Sequence, residues 1–167
     1  DGAGILSGQV VNGTEGAGPV AGIEVALLPS HDGVQQDPVT TVADASGAFE
    51  FAALETGSDW SYRIRAAYEG VVYTQGPVAF QEGQTGIEAL LTVYETTDDD
   101  AGIVVERAHM LLDLGQDALR VTEVYIMANS SDRTYVGSAE IDGRRAVTAI
   151  QLPPEARDLS LQDGTLG

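Results

Sequence analysis

The run WSYRIRAAY alternates strictly: Trp60, Tyr62, Ile64, Ala66 and Tyr68 fall on one side of an extended chain, and Ser61, Arg63 and Arg65 on the other. A period of two matches the pleat of a β-strand, because successive side chains leave the backbone on opposite faces. The same alternation aligns Ile23, Val25 and Leu27 in GIEVALL, and Ile87, Ala89, Leu91 and Val93 in IEALLTVY. Nothing reads as a helix. The breaks between these runs, NGTEGAGP, PSHDG, ETGSD, YEG and QEGQTG, hold the residues that turn a chain. Short strands at close spacing with such breaks predict an all-β chain built of antiparallel β-sandwiches.

One break shows the local chemistry. In VADASGAFEF, Asp44 can accept hydrogen bonds from nearby amides, and Gly47 tolerates positive φ. Phe49 and Phe51 then share a face, with Glu50 opposite. The stretch predicts a hairpin: strand 39–43, turn, strand 48–52.

The pattern halts at YETTDDDAG, where three aspartates follow a finished strand. The expected organisation is a first sandwich over 1–97, an acidic linker over 98–102 and a second sandwich over 103–167. Residues 1–97 carry 13 acids and 2 arginines, net −11, and residues 98–167 carry 13 acids and 6 arginines, net −7. Alternation resumes in IVVERAHMLL, LRVTEVYIMA, RTYVGSAEI and RRAVTAIQL, and Asp142-Gly143 is a strong two-residue hairpin signal. A last run, LSLQ, leads to Asp163-Gly164 with no room for a return strand before Gly167. The second sandwich is therefore expected to be incomplete, cut short or completed by a strand from another chain. The segment DGAGIL is the expected donor, since Ala3 and Ile5 could alternate into a groove.

Charge removes several classes of function. The net charge of −18, with eight arginines and no lysine, repels phosphate backbones and argues against nucleic acid as a partner. A solvated acidic surface, as in high salt, accounts for the acidity without any ligand. No apolar run approaches the ~18 residues of a membrane-spanning helix. Without cysteine there are no disulfides, thiolate metal sites or haem attachment motifs. Without lysine, Lys–Asn isopeptide cross-links and lysine-directed sortase joining are both closed. Opening on Asp1 rather than Met is what removal of a secretory signal peptide would leave. Two sequons, Asn12-Gly-Thr14 and Asn129-Ser-Ser131, mark Asn12 and Asn129 as candidate glycosylation sites.

SGQVVNGTEGAGPVAGIEVALL, TTVADASGAFEFAALETG and YRIRAAYEGVVY together resemble the carboxypeptidase regulatory-like domain of the transthyretin-like (prealbumin-like) superfamily. The matching positions are Gly8, Val10, Pro19 to Gly22, Val25 to Leu27, Asp44, Gly47, Phe49, Phe51, Leu54, Gly57, Tyr62 and Ile64, and the likeness covers about residues 5–95. Residues 101–167 more weakly resemble a β-rich segment that follows this domain in some exported bacterial proteins. The resemblance implies the fold and no chemistry, since such domains are accessory modules of many proteins. Zinc carboxypeptidases carry HxxE and a distant histidine. Here His31 is followed by Asp-Gly-Val, His109 by Met-Leu-Leu, and there is no third histidine. No G-x-S-x-G elbow supports a serine triad. His31 reads as a solvated loop residue, and His109 as a half-buried one sharing a face with Val105 and Leu111.

Asp98, Asp99 and Asp100 are the candidate metal ligands, for calcium, although neighbours on an extended chain point apart and at most two converge. No catalytic residue and no other cofactor is expected. The chain reads as a non-enzymatic, extracellular or cell-surface structural or adhesive module that binds a protein partner or assembles with itself. The alternatives are an accessory subunit docked on an extracytoplasmic enzyme or electron-transfer complex, or a carbohydrate-binding module. The last needs an exposed aromatic platform, whereas Trp60, the single tryptophan, points coreward in its strand pattern.

Overall fold

A computed structural model describes residues 3–160 of the chain. The fold is all-β, as the alternation requires. The strands in order are β1 (Gly4–Asn12), β2 (Glu24–His31), β3 (Val34–Gln35), β4 (Val39–Val42), β5 (Ala48–Leu54), β6 (Trp60–Tyr68), β7 (Val71–Val78) and β8 (Gly86–Val93). They continue with β9 (Thr96–Thr97), β10 (Ile103–Leu114), β11 (Leu119–Asn129), β12 (Thr134–Tyr135), β13 (Ala139–Ile141) and β14 (Arg144–Ala146).

The first eight strands form two sheets around one core. One sheet has the order β5-β1-β8; the other runs β3-β2-β6-β7, with β4 also on β2. The predicted faces are the observed ones. Val25 and Leu27 of β2, Tyr62, Ile64 and Ala66 of β6, and Leu91 and Val93 of β8 are buried, as are Phe49, Phe51 and Leu54 of β5. The hydroxyl of Tyr62, the largest fully buried side chain, donates to the Glu55 carbonyl at 2.7 Å, so its polar end is satisfied inside the core.

Three details depart from the expectation. The sandwich is not purely antiparallel, because β8 runs parallel to β1 from Ile5↔Gly86 to Asn12↔Val93. The Asp44 turn does not close a hairpin either. β4 pairs with β2 and β5 with β1, so the turn carries the chain from one sheet to the other. Its local chemistry stands: Asp44 Oδ1 accepts from the Ser46 amide and hydroxyl, each at 2.7 Å, and from the Ala48 amide at 3.0 Å. These bonds, the Ser46 hydroxyl foremost, hold the Asp44 carboxyl below its ordinary pKa. Gly47 sits at φ +83, and a Cβ there would strike the Val10 carbonyl. Finally, β1 is the central strand of its sheet and Leu6 is fully buried, so the described part of the expected donor, from Gly4 to Leu6, cannot be donated to another copy without dismantling the first core.

Residues 103–160 build no second buried core among the described residues; the buried apolar cluster runs from Leu6 to Val93. Among the described residues, β10 and β11 pair only with each other, as a long two-stranded ribbon. Beyond it, β13 and β14 form the hairpin expected at Asp142-Gly143, both with positive φ. RRAVTAIQL is extended only at its start, in β14. The Asp163-Gly164 turn lies outside the described residues, as does the end of LSLQ. No helix among the described residues is long and apolar enough to cross a membrane.

Candidate functional site

The β10–β11 ribbon is the part of the molecule whose chemistry the fold leaves unsatisfied. Its register runs from Ile103↔Asn129 to Leu114↔Leu119, with a bulge between Val105 and Arg107 that leaves Glu106 unpaired. The bulge moves one side chain out of step, so Val105 shares a face with Met110 and not with His109. On that face lie Val105, Met110, Leu112, Leu114, Leu119, Val121, Tyr125 and Met127, all exposed. Leu114 at the tip is 85% exposed, against at most 8% for any residue of the sandwich core. The one charge on this face is Glu123, which accepts from the Tyr125 hydroxyl at 3.1 Å; that bond raises the tyrosine's pKa. The other face is mixed: Arg107, His109, Leu111 and Asp113 on β10, against Ile126, Val124, Thr122 and Arg120 on β11. His109, expected half-buried, is exposed, since no second layer among the described residues covers the ribbon. A contiguous exposed apolar strip of this kind makes the ribbon the candidate site.

The ribbon is not a loose appendage. Its outgoing chain returns to the sandwich, where β12 pairs with β9 in parallel. Thr14, buried in the sandwich, donates its hydroxyl to the Asp132 carbonyl at 2.8 Å and accepts from the Glu95 amide at 3.0 Å. The Glu15 amide donates to Asp132 Oδ2 at 2.7 Å, and the Tyr73 hydroxyl lies 2.7 Å from Thr134 Oγ1. Glu69 accepts from the Thr96 amide at 2.7 Å, which with the Thr96 hydroxyl lowers its pKa. These bonds bridge the segment expected to be a plain linker.

The three linker aspartates lie at the root of the ribbon. Asp98 and Asp100 are exposed, and Asp99 Oδ1 is committed to the Ala101 amide at 3.0 Å, capping the 3-10 turn Asp100–Gly102. Among the described residues, the group of three metal-ligating side chains that does converge is elsewhere: His31, Asp32 and Asp59, with ligand atoms within 4.8 Å of one another. His31 Nε2 lies 2.6 Å from Asp59 Oδ2 and 4.0 Å from Asp32 Oδ2, and the ring stacks on Trp60 at 4.7 Å. Sequence reading missed this trio because Asp59 is distant in the chain and reaches His31 only through the β2–β6 pairing, which sets His31 opposite Trp60. It could hold a divalent cation through one nitrogen and two oxygens, yet it is open to water and His31 is already bonded to Asp59.

The two sequon asparagines differ. Asn12 is half-buried and donates to Glu95 Oε1 at 2.9 Å, while Asn129 is exposed at the end of β11 and donates to the Arg133 carbonyl at 2.7 Å. Trp60 offers no open platform, since the rings of His31 and Tyr62 lie nearly parallel to it at 4.7 and 6.4 Å. No protein-family model matches the chain, and no curated protein matches it either.

Proposed function

We propose that this chain is a non-enzymatic structural or adhesive module of the cell exterior, a sandwich body that carries a β-ribbon as its docking element. The observation that carries this reading is the apolar ribbon face from Val105 to Met127, exposed and rigidly rooted in the sandwich. Folding leaves it wet; a partner strand would widen it into a larger sheet, and a partner surface would cover it. In this reading residues 5–95 are a carboxypeptidase regulatory-like domain. The burial of Val10, Val25, Leu27, Phe49, Phe51, Leu54, Tyr62 and Ile64, all motif positions, supports that assignment. Docking onto a larger extracytoplasmic complex uses the same face and differs only in the partner. The test is the size of the protein purified from its source, compared with a Leu112→Asp/Val121→Asp variant, which charges two directly opposed residues of the apolar face. The parent is expected in a species larger than one chain and the variant as a monomer. A parent that is itself monomeric at the source refutes the reading.

A further inference from the structure

Resting on the reading of the ribbon as a docking element, we propose that its partner is a second copy of this chain. The copy pairs antiparallel along the free edge of β10, in the register that sets Arg107 of each copy opposite Asp113 of the other. An isolated two-stranded ribbon is marginal in water, and a sheet of three or more strands with an apolar face is not. Both ribbon edges are unpaired among the described residues, and charge chooses between them.

When a strand pairs with its own copy about a two-fold axis, opposed residues lie on the same face, so their positions must have the same parity. The charges of β11, Arg120 and Glu123, have opposite parity and can never be opposed. On β10 the ladder is regular from Arg107 to Leu114, past the bulge, and there Arg107 and Asp113 share parity. Setting them opposite puts Met110 on the two-fold axis, Ala108 against Leu112 and His109 against Leu111. Symmetry makes the Arg–Asp pair twice. Centring on Arg107 instead would oppose the two arginines. Within its own ribbon Arg107 faces Ile126 and has no ion-pair partner among the described residues.

Long-range charge favours the same arrangement. Residues 103–129 carry four acids and two arginines, leaving net −16 on the rest of the chain. Antiparallel pairing about Met110 sends the two acidic bodies off opposite ends of the new sheet. Seven residues separate Met110 from Ile103. At ~3.4 Å per residue the ribbon roots stand roughly 48 Å apart, many times the ~8 Å Debye length at physiological salt. Stacking the apolar faces directly would instead bury Glu123. In the paired form the two apolar strips lie side by side as one four-stranded face.

The chain has no cysteine, so single cysteines report the register without background. Met110→Cys is expected to cross-link to its own copy, since directly opposed Cβ atoms sit ~5 Å apart. Leu114→Cys is not, because its symmetry mate lies about 27 Å away at the strand rise. In sedimentation equilibrium, Arg107→Asp and Asp113→Arg should each weaken the dimer ~10-fold or more. The double exchange should bind more tightly than either single variant, short of the parent because an arginine at position 113 would face Arg120 in its own ribbon. Circular dichroism checks that each variant keeps its sheets. Association lost in Leu112→Asp/Val121→Asp but indifferent to the charge exchange, with both cysteines linking equally, overturns this register and leaves the docking reading standing. Filaments in which β10 pairs with β11 of the next copy overturn it too. A chain monomeric at ~0.5 mM overturns self-pairing outright, while the source preparation still decides whether the ribbon docks on something else.

Discussion

Replacing Phe49 by alanine tests the packing of the sandwich at a point where three strands meet. The ring is buried and packs over Gly8 of β1, so closely that a Cβ at Gly8 would collide with it and with the Ala89 carbonyl of β8. A phenylalanine this buried withdraws on the order of 150 Å² from water, about 4 kcal/mol at roughly 25 cal/mol per Å². Alanine keeps part of that, and the cavity left behind adds to what is lost, so Phe49→Ala should destabilise by ~3–5 kcal/mol in all. Glu50→Ala, facing solvent between two buried phenylalanines, should stay within ~0.5 kcal/mol. Gly8→Ala alone overpacks the site and should cost ~1–3 kcal/mol. Combined with Phe49→Ala it should cost less, with a coupling of ~1 kcal/mol, but not nothing, because the Ala89 carbonyl remains. Urea unfolding followed by Trp60 emission measures all four, since Trp60 packs against this core. Strict additivity of Gly8→Ala and Phe49→Ala would refute the ring-over-glycine contact. Equal damage from Glu50→Ala would refute the register of β5.

Thr14→Val keeps the shape of the residue but orphans the Glu95 amide and the Asp132 carbonyl, so it should cost about 2 kcal/mol in the same unfolding assay. Below the ordinary carboxyl pKa of 3.8 the parent should lose stability that Asp44→Ala never had. The sign follows from the lowered folded-state pKa: the contribution is present above the unfolded value and is lost as pH falls through the folded one, which acid melts of the two proteins would reveal. Amide exchange of the unassociated chain should be faster across 103–129 than across 60–68, because the ribbon has no buried face; equal protection would contradict an uncovered ribbon. Replacing Asp98, Asp99 and Asp100 together by asparagine should leave any calcium-induced rise in melting temperature unchanged, as Asp99 is already committed to its own turn. A rise abolished by the change would instead put calcium at the ribbon root.

The alternation of Tyr62, Ile64 and Ala66 was enough to say which side chains are buried, because a strand's two faces are set by the pleat alone. The same holds for Phe49 and Phe51, and for the Asp44 cap, whose bonds reach only Ser46 and Ala48. Which strand lies beside which is another matter. The Asp44 turn serves a hairpin and a crossover between sheets equally well, and the choice rests on β1 and β2 competing for β5 and β4 from far along the chain. Likewise β8 could be read as a strand but not as a parallel neighbour of β1. Nor could the meeting of His31 with Asp59 be read, since it depends on the register of β2 with β6. In the second half the alternating runs predicted strands, and β10 and β11 are strands. Their exposure was not legible, because a run such as Met110 to Leu114 looks the same whether or not a second sheet arrives to cover it. The bulge at Glu106 then shifted Val105 to the face of Met110, giving the ribbon one apolar side and one mixed side. Local sequence determines the pleat and the turn; long-range pairing alone decides what each face meets, and for this ribbon it left a face open.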